Sequence, residues 1–75
     1  VEVSMPEGAE ILSVQMHRGF PYIMAKVSPS RDKVTRRLRW YFTGERLDVA
    51  AGRYVGTIQS DDGTLVFHLF ELGSP

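Results

Sequence analysis

The sequence predicts an all-β domain: a five-stranded antiparallel meander, curled into a small barrel or half-barrel. Apolar and polar residues alternate in several stretches with a period of two, which is the side-chain period of a strand. Turn residues separate these stretches at short intervals, as at Arg18-Gly19 and in "DDG" at residues 61–63. No stretch of about a dozen residues repeats apolar positions at helical spacing without a Gly or Pro interruption.

The first two predicted strands form a hairpin. Residues 10–17, "EILSVQMH", alternate imperfectly between apolar and polar side chains, and residues 20–27, "FPYIMAKV", form the partner strand. Gly19 supplies the positive φ that a tight turn between them needs. Pro21 cannot donate to a strand ladder, so it is predicted at the start of its strand or on a sheet edge.

The third predicted strand is "KVTRRLRWYF", residues 33–42. The large apolar side chains Leu38, Trp40 and Phe42 share one face, and the other face carries Lys33, Thr35, Arg37, Arg39 and Tyr41. This alternation is typical of a half-buried antiparallel strand. Arg36 interrupts the apolar face, and we expect it near a strand end, with its stem packed and its charged head in water.

The last two strands are predicted over residues 54–60 and 64–72. Gly56, inside the fourth strand, indicates a β-bulge or the close approach of another backbone. The fifth strand, "TLVFHLFEL", is apolar on both faces, which favours a central position in the fold. Between strands three and four, "RLDVAA" at residues 46–51 is compatible with a single helical turn.

The length of 75 residues predicts a single domain over residues 1–75, with residues 1–8 as a flexible N-terminal extension. A domain of this size buries only about 60% of its unfolded surface and often needs further support. The chain has no Cys and two His, so we do not expect disulfides or a structural zinc site to supply this additional stability. A dimer is an alternative source of support.

The charge balance is zero, but its distribution is uneven. Residues 18–46 carry eight basic and two acidic side chains, and both flanking segments are acidic. Within this basic segment we predict a binding surface of cations and aromatic or sulfur-containing side chains. Its members are Arg37, Arg39, Tyr41 and Lys33 on the third strand, with Tyr22 and Met24 from the neighbouring strand.

No arrangement of nucleophile, base and orienting group is recognisable, and no glycine-rich phosphate loop is present, so we predict that the protein is not an enzyme. His68 lies in an apolar strand and is interpreted as a half-buried histidine that a carbonyl or a carboxylate satisfies. Asp61 and Asp62 are interpreted as turn residues. We expect no cofactor and no metal site.

Four segments together resemble a known protein family: "MPEGAEILSVQ", "VTRR", "TGERL" and "GRYVGTIQSDDGTLVFHLFE". They resemble a family of short proteins encoded by bacteriophages and prophages, with an N-terminal P-x-G-A-x-I-L-x-V and a C-terminal Y-x-G-T followed by L-V-x-H-x-F-E. The resemblance covers Pro6 to Glu71 and supplies no catalytic or binding residue. Members often carry a His after the "TG", where this chain has Glu45.

The resemblance implies a small accessory factor in the bacterial cytoplasm, of the kind that binds and redirects or blocks a host component. The predicted function is therefore non-catalytic: the protein binds and modulates a host macromolecule, in the first place a protein. The predicted partner is this host protein or a second copy of the chain in a homodimer. The alternative is a nucleic-acid-binding β-domain that uses the basic and aromatic face of the third strand. No membrane association is expected, because no apolar run approaches the ~20 residues that span a bilayer.

Overall fold

The structure is a computed structural model that describes residues 1–47 and 52–73. The described chain is all-β, as predicted. It contains six strands: β1 (Glu2–Pro6), β2 (Glu10–His17), β3 (Phe20–Lys26), β4 (Lys33–Phe42), β5 (Arg53–Gln59) and β6 (Val66–Glu71). Strands β2 and β4 have the predicted bounds. Strand β3 ends one residue earlier than predicted, and β5 and β6 differ by one or two residues at each end. Most of the predicted helical turn, residues 48–51, lies outside the described residues.

Strand β1 is an element that the sequence patterns do not predict. Residues 1–8 were expected to be an extension, but Glu2–Pro6 pairs with β4 in antiparallel register, from Glu2 opposite Arg37 to Pro6 opposite Lys33. The side chain of Met5 is buried in the core. Alternation over five residues is too short a pattern to identify a strand, and pairing with β4 is what stabilises it.

The strands form two sheets rather than one meander. The larger sheet has the order β1-β4-β6-β5, and β2 pairs only with β3. The two-sided apolar strand β6 lies in the interior of the larger sheet, as predicted. The meander expectation is therefore wrong in its strand order, because β1 pairs with β4 and the β2–β3 hairpin forms a separate layer. No closed barrel is present among the described residues.

The β2–β3 hairpin covers one face of the larger sheet, which we call the inner sheet face. Its two-residue turn has positive φ at both Arg18 (51°) and Gly19 (82°), which matches the twist of the strands it joins. The hairpin contributes Ile11 and Val14 to the core. From the sheet come Met5, Leu38, Ile58 and Leu69, and Ala9 completes the cluster. The opposite surfaces are called the outer sheet face and the outer hairpin face.

Gly56 allows the two layers to approach each other closely. A Cβ atom at this position would lie 2.9 Å from Cγ1 of Val14, which is closer than real Cβ atoms come to a neighbour. The register of β5 against β6 also shifts between Tyr54 and Gly56, as a β-bulge does. The predicted bulge is confirmed, and the closest neighbour of Gly56 is the side chain of Val14, while the backbone nitrogen of Val14 lies at an ordinary contact distance of 3.6 Å from the Cβ position.

Arg36 lies on the inner sheet face and is not directed into water as expected. Its Nη2 donates to Oε1 of Glu71 at 2.8 Å, its Nε donates to the second oxygen, and its Nη1 donates to the carbonyl of Ala9 at 2.7 Å. Arg53 donates to the carbonyl of Ile11 at 2.9 Å. These bonds tie β4, β5 and β6 to the segment that enters the hairpin.

Candidate functional site

The six residues predicted to form one binding surface lie on two opposite sides of the molecule. Lys33, Arg37, Arg39 and Tyr41 alternate with the core residues of β4, so they belong to the outer sheet face. Tyr22 and Met24 belong to the outer hairpin face and are more than half exposed. The hairpin packs on the inner sheet face, so the two groups cannot meet. The prediction that Tyr22 and Met24 lie beside the arginines is therefore wrong.

Tyr41 belongs to the outer sheet face but is not accessible there. Only 1% of its surface is exposed. The ring of Phe70 meets it edge-on, with 5.4 Å between the ring centres. The guanidinium carbon of Arg39 lies 4.5 Å from the centre of the Tyr41 ring. A ring covered in this way cannot stack on a nucleic-acid base or enter a partner's surface.

Arg39 forms an ion pair with Glu45. Its Nη2 donates to Oε2 of Glu45 at 3.2 Å, and the other oxygen of Glu45 accepts from the backbone N–H of Phe42 at 3.1 Å. Lys33 and Arg37 remain exposed and form no ion pair with any described residue. The free cationic surface of β4 is therefore reduced to two side chains, one of which lies opposite Glu2.

His68 forms the centre of a hydrogen-bonded network on the outer sheet face. Its Nδ1 lies 2.9 Å from Oγ1 of Thr57, and its Nε2 lies 2.8 Å from Oγ1 of Thr43. The hydroxyl of Tyr54 lies 2.5 Å from the same Thr57 oxygen. Two threonine hydroxyls thus satisfy His68, in place of the carbonyl or carboxylate that was expected.

A cavity of about 260 Å³ adjoins this network. Its walls include Tyr41, Tyr54, Phe70 and His68 from the sheet and Leu47 from the segment that follows β4. Glu45 also lines the cavity, but both of its oxygens are bonded to other groups. The pair of Thr43 and His68 resembles a nucleophile and base, yet no described carboxylate bonds to His68 to orient it.

An apolar groove opens between the hairpin and the inner sheet face. It consists of two adjoining cavities of about 390 Å³ and 270 Å³ that share Pro21 and Trp40 in their walls. We define the apolar groove by Met16, Pro21 and Ile23 on the hairpin and by Trp40, Phe42 and Phe67 on the sheet. Trp40 and Phe67 meet edge-on at 6.2 Å between ring centres, and Phe42 packs on Phe67 at 4.8 Å.

No sequence pattern predicts this groove as a site. The alternation in β4 correctly places Trp40 and Phe42 on the inner sheet face, but it cannot show how much of that face the hairpin leaves uncovered. The hairpin covers this face only partly, and half of the Phe42 surface stays exposed. One signal was available: Pro21 was predicted at a strand start or sheet edge, and it lies beside this opening.

The turn between β5 and β6 has a structural role. Asp62 accepts hydrogen bonds from the backbone N–H and the hydroxyl of Thr64 at 3.0 and 2.7 Å, and from the hydroxyl of Ser60 at 2.8 Å. These donors lower the pKa of Asp62 to about 2. The carboxylate is therefore held as an anion that orders the turn, in agreement with its interpretation as a turn residue.

Within residues 1–47 and 52–73, no three His, Asp or Glu side chains gather into a group that could hold a metal ion. The same part of the chain has no helix of the length and apolarity that crossing a membrane requires.

Comparison with other proteins relates the whole chain to one family. No curated protein and no solved structure matches the chain. One family model, described as a domain of unknown function, matches residues 1–75. The chain therefore belongs to the DUF7352 family.

Proposed function

We propose that this domain is a small, phage-derived accessory protein that acts without catalysis, by binding a host protein in the bacterial cytoplasm. The docking surface in this proposal is the apolar groove. The observation that carries the proposal is an opening lined by Trp40, Phe42, Phe67, Met16 and Pro21 beside the core of a very small domain. Aromatic and Met side chains are enriched at the centres of protein interfaces, where their burial supplies most of the binding energy.

The groove also indicates the chemistry of the partner. Its walls are almost entirely apolar side chains, so a matching surface presents one or two bulky apolar residues. Arg18 is exposed at the hairpin turn, next to Gly19 in the wall of the groove. An acidic residue at the edge of the partner's apolar patch would complement Arg18 and accelerate association.

A pair of phenylalanine substitutions tests the docking surface. Phe42 lines the groove and is 50% exposed, whereas Phe20, at the start of β3, is 66% exposed and alternates with the groove-facing Pro21. Phe42→Ser should weaken binding by about 2 kcal/mol, roughly thirtyfold, because it removes an anchor from the groove. Phe20→Ser should leave affinity nearly unchanged, since it removes a similar area from the outer hairpin face.

The measurement has two stages. The wild-type domain first captures proteins from bacterial lysate with and without nuclease treatment. A protein captured under both conditions is then purified and titrated by calorimetry against wild type, Phe20→Ser and Phe42→Ser. Equal affinity of the three chains would remove the groove from the proposal. Capture that disappears on nuclease treatment would contradict a protein partner altogether.

The expected dimer is a second proposal for the same surface. Among the described residues, eleven large hydrophobic side chains are exposed and only eight hydrophobic residues are buried, so the core is small for a stable domain. A second copy that covers the groove would enlarge the buried apolar core. Light scattering after size exclusion, over a range of concentrations, should then show a dimer that Phe42→Ser converts to a monomer. A monomer at all concentrations contradicts this proposal and leaves the host-protein proposal intact.

A further inference from the structure

Strand β3 has one edge that no described strand covers. Along its other edge it pairs with β2 alone. The two-residue turn makes His17 and Phe20 the closing hydrogen-bonded pair of the hairpin, and hydrogen-bonded and non-hydrogen-bonded pairs alternate from there. Tyr22 therefore directs its backbone N–H and C=O to β2, whereas Ile23 and Ala25 direct theirs to the uncovered edge.

The backbone of this edge is free to pair. No hydrogen bond from another described element reaches Ile23 or Ala25 on that side. Both residues line a surface cavity of about 350 Å³, so open space lies next to them. Edge strands are usually protected by prolines or charged side chains, but β3 has only Pro21 near its start and Lys26 at its end. The middle of β3 is therefore able to accept another strand.

The apolar groove lies where a third strand of the hairpin layer would run. The larger sheet has four strands, and in the described chain only β2 and β3 pack over its inner face. The 270 Å³ cavity of the groove is lined by Pro21 and Ile23 of β3 and by Leu38, Trp40 and Leu69 of the larger sheet. A strand paired with β3 would direct every second side chain toward this apolar floor, because cross-strand neighbours lie on the same face.

We propose that an extended segment of the partner binds as an added strand, antiparallel along the uncovered edge of β3, with every second side chain in the apolar groove. This inference rests on the proposed binding of a host protein and names the form of segment that enters the groove. Backbone hydrogen bonds to Ile23 and Ala25 contribute affinity, and apolar residues at alternate positions give selectivity. The segment ends near the hairpin turn, where Arg18 complements an acidic residue at its C-terminal end.

A second copy of the chain fits this edge less well than a single segment. Antiparallel pairing of β3 with β3 of a second copy places the larger sheets of both copies on the same side of the paired strands. The larger sheet of one copy already extends beneath the uncovered edge through Leu38 and Trp40. The two larger sheets would compete for this space, whereas a single strand brings no second sheet with it.

The probe for this test is the peptide acetyl-Thr-Val-Thr-Ile-Thr-Phe-Thr-Asp-amide, which has apolar side chains at alternate positions. Trp40, the only tryptophan of the chain, lines the groove and reports binding by its fluorescence. Methylation of the Ile nitrogen of the probe, whose N–H points to β3, should weaken binding at least about tenfold, because it removes a hydrogen bond and inserts a methyl group between the strands. Methylation of the preceding Thr nitrogen, whose N–H points away from β3, is the matched control and should change affinity less than about twofold.

NMR of the wild-type domain gives a second readout that needs no variant. The amides of Ile23 and Ala25 should exchange with water directly in the free domain, and saturation transfer from water should detect them until the probe is bound. The amides of Tyr22 and Met24, which bond to β2, should give no such signal in either state.

Equal affinity of the two methylated probes, or exchange at Ile23 and Ala25 that persists in the saturated domain, would overturn strand pairing and leave the groove as a docking surface. Failure of the unmethylated probe to bind would also overturn it, and the titration with Phe42→Ser decides the host-protein proposal separately. If exchange at the two amides already slows as the concentration of the probe-free domain rises, a second copy occupies the edge and the proposed partner segment is wrong.

Discussion

At the scale of single residues, the ion pair between Arg36 and Glu71 gives the protein a defined response to acid. Hydrogen bonds from Arg36 lower the pKa of Glu71 below its ordinary value of 4.5, against the opposing effect of burial, and the charges of Arg36 and Arg53 lower it further. A carboxyl group whose pKa is lowered in the folded protein stabilises the fold at every pH above the pKa that the group has in the unfolded chain. That contribution is lost as the pH falls through the folded pKa.

We therefore predict that Glu71→Gln lowers the free energy of unfolding at neutral pH by about 1–3 kcal/mol, since a hydrogen bond between charged groups becomes a weaker neutral one. The difference between wild type and variant should shrink as the pH falls below the ordinary pKa of 4.5. Urea unfolding of both chains at a series of pH values measures it. If the difference between the two chains stays constant down to strongly acidic pH, the ion pair makes no pH-dependent contribution to stability.

At the scale of secondary-structure elements, strand β1 is an integral part of the fold. Met5 is 7% exposed and packs in the core, whereas Met24 on β3 is 57% exposed. Met5→Ala should destabilise the domain by about 2–5 kcal/mol, because it leaves a cavity between the layers. Met24→Ala, the same chemical change at a surface position, should cost less than about 0.5 kcal/mol. Denaturant unfolding compares the two, and equal effects would contradict a structural role for β1.

The contact between the β5 bulge and β2 gives a second prediction at this scale. Gly56→Ala would place a Cβ 2.9 Å from Cγ1 of Val14, whose branched side chain has little freedom to move away. We expect a loss of about 1–3 kcal/mol in the free energy of unfolding.

Gly73→Ala is the control for this substitution, because nothing lies within 4 Å of a Cβ built there. Thermal and urea unfolding of the two variants separate the effect of the clash from the general effect of replacing glycine. Destabilisation of the same size in both would mean that the layers do not approach each other at Gly56.

At the scale of the whole molecule, the distribution of charge bears on the alternative of nucleic-acid binding. Arg39 is paired with Glu45, the Tyr41 ring is buried, and the sequence has a pI near 6.9. We therefore expect no retention of single- or double-stranded oligonucleotides at low salt, as measured by fluorescence anisotropy. Binding that weakens uniformly, with a flatter salt dependence, when Lys33 and Arg37 are replaced by Ala would reverse this expectation.

Much of the fold could be predicted from local patterns. The period-two alternation in "KVTRRLRWYF" identified β4 and its inner side, since neighbouring side chains of a strand must point in opposite directions. Gly19 and Gly56 identified a turn and a bulge, because each occupies a position where a side chain would be strained or would clash. These are properties of a few adjacent residues, which a sequence can show directly.

The candidate sites could not be predicted from local patterns in this way. The sequence placed Tyr41 on the outward face but could not indicate that Phe70, which is distant in the chain, would cover it. Alternation likewise could not show that Tyr22 and Met24 would lie on the opposite side of the molecule from Arg37. Each of these facts depends on which strands become neighbours. The contacts between such strands form only when the chain has folded.

By itself, the sequence of this protein determined its β class, the inner and outer sides of β4, and the turns that separate most of its strands. The tertiary structure alone decided the order β1-β4-β6-β5, the pairing of Arg36 with Glu71, the opening beside Trp40 and the burial of the Tyr41 hydroxyl. The physical reason is the distance along the chain between the residues that determine each feature. Alternation and turn geometry depend on adjacent residues, whereas burial and pairing depend on residues tens of positions apart that folding brings together.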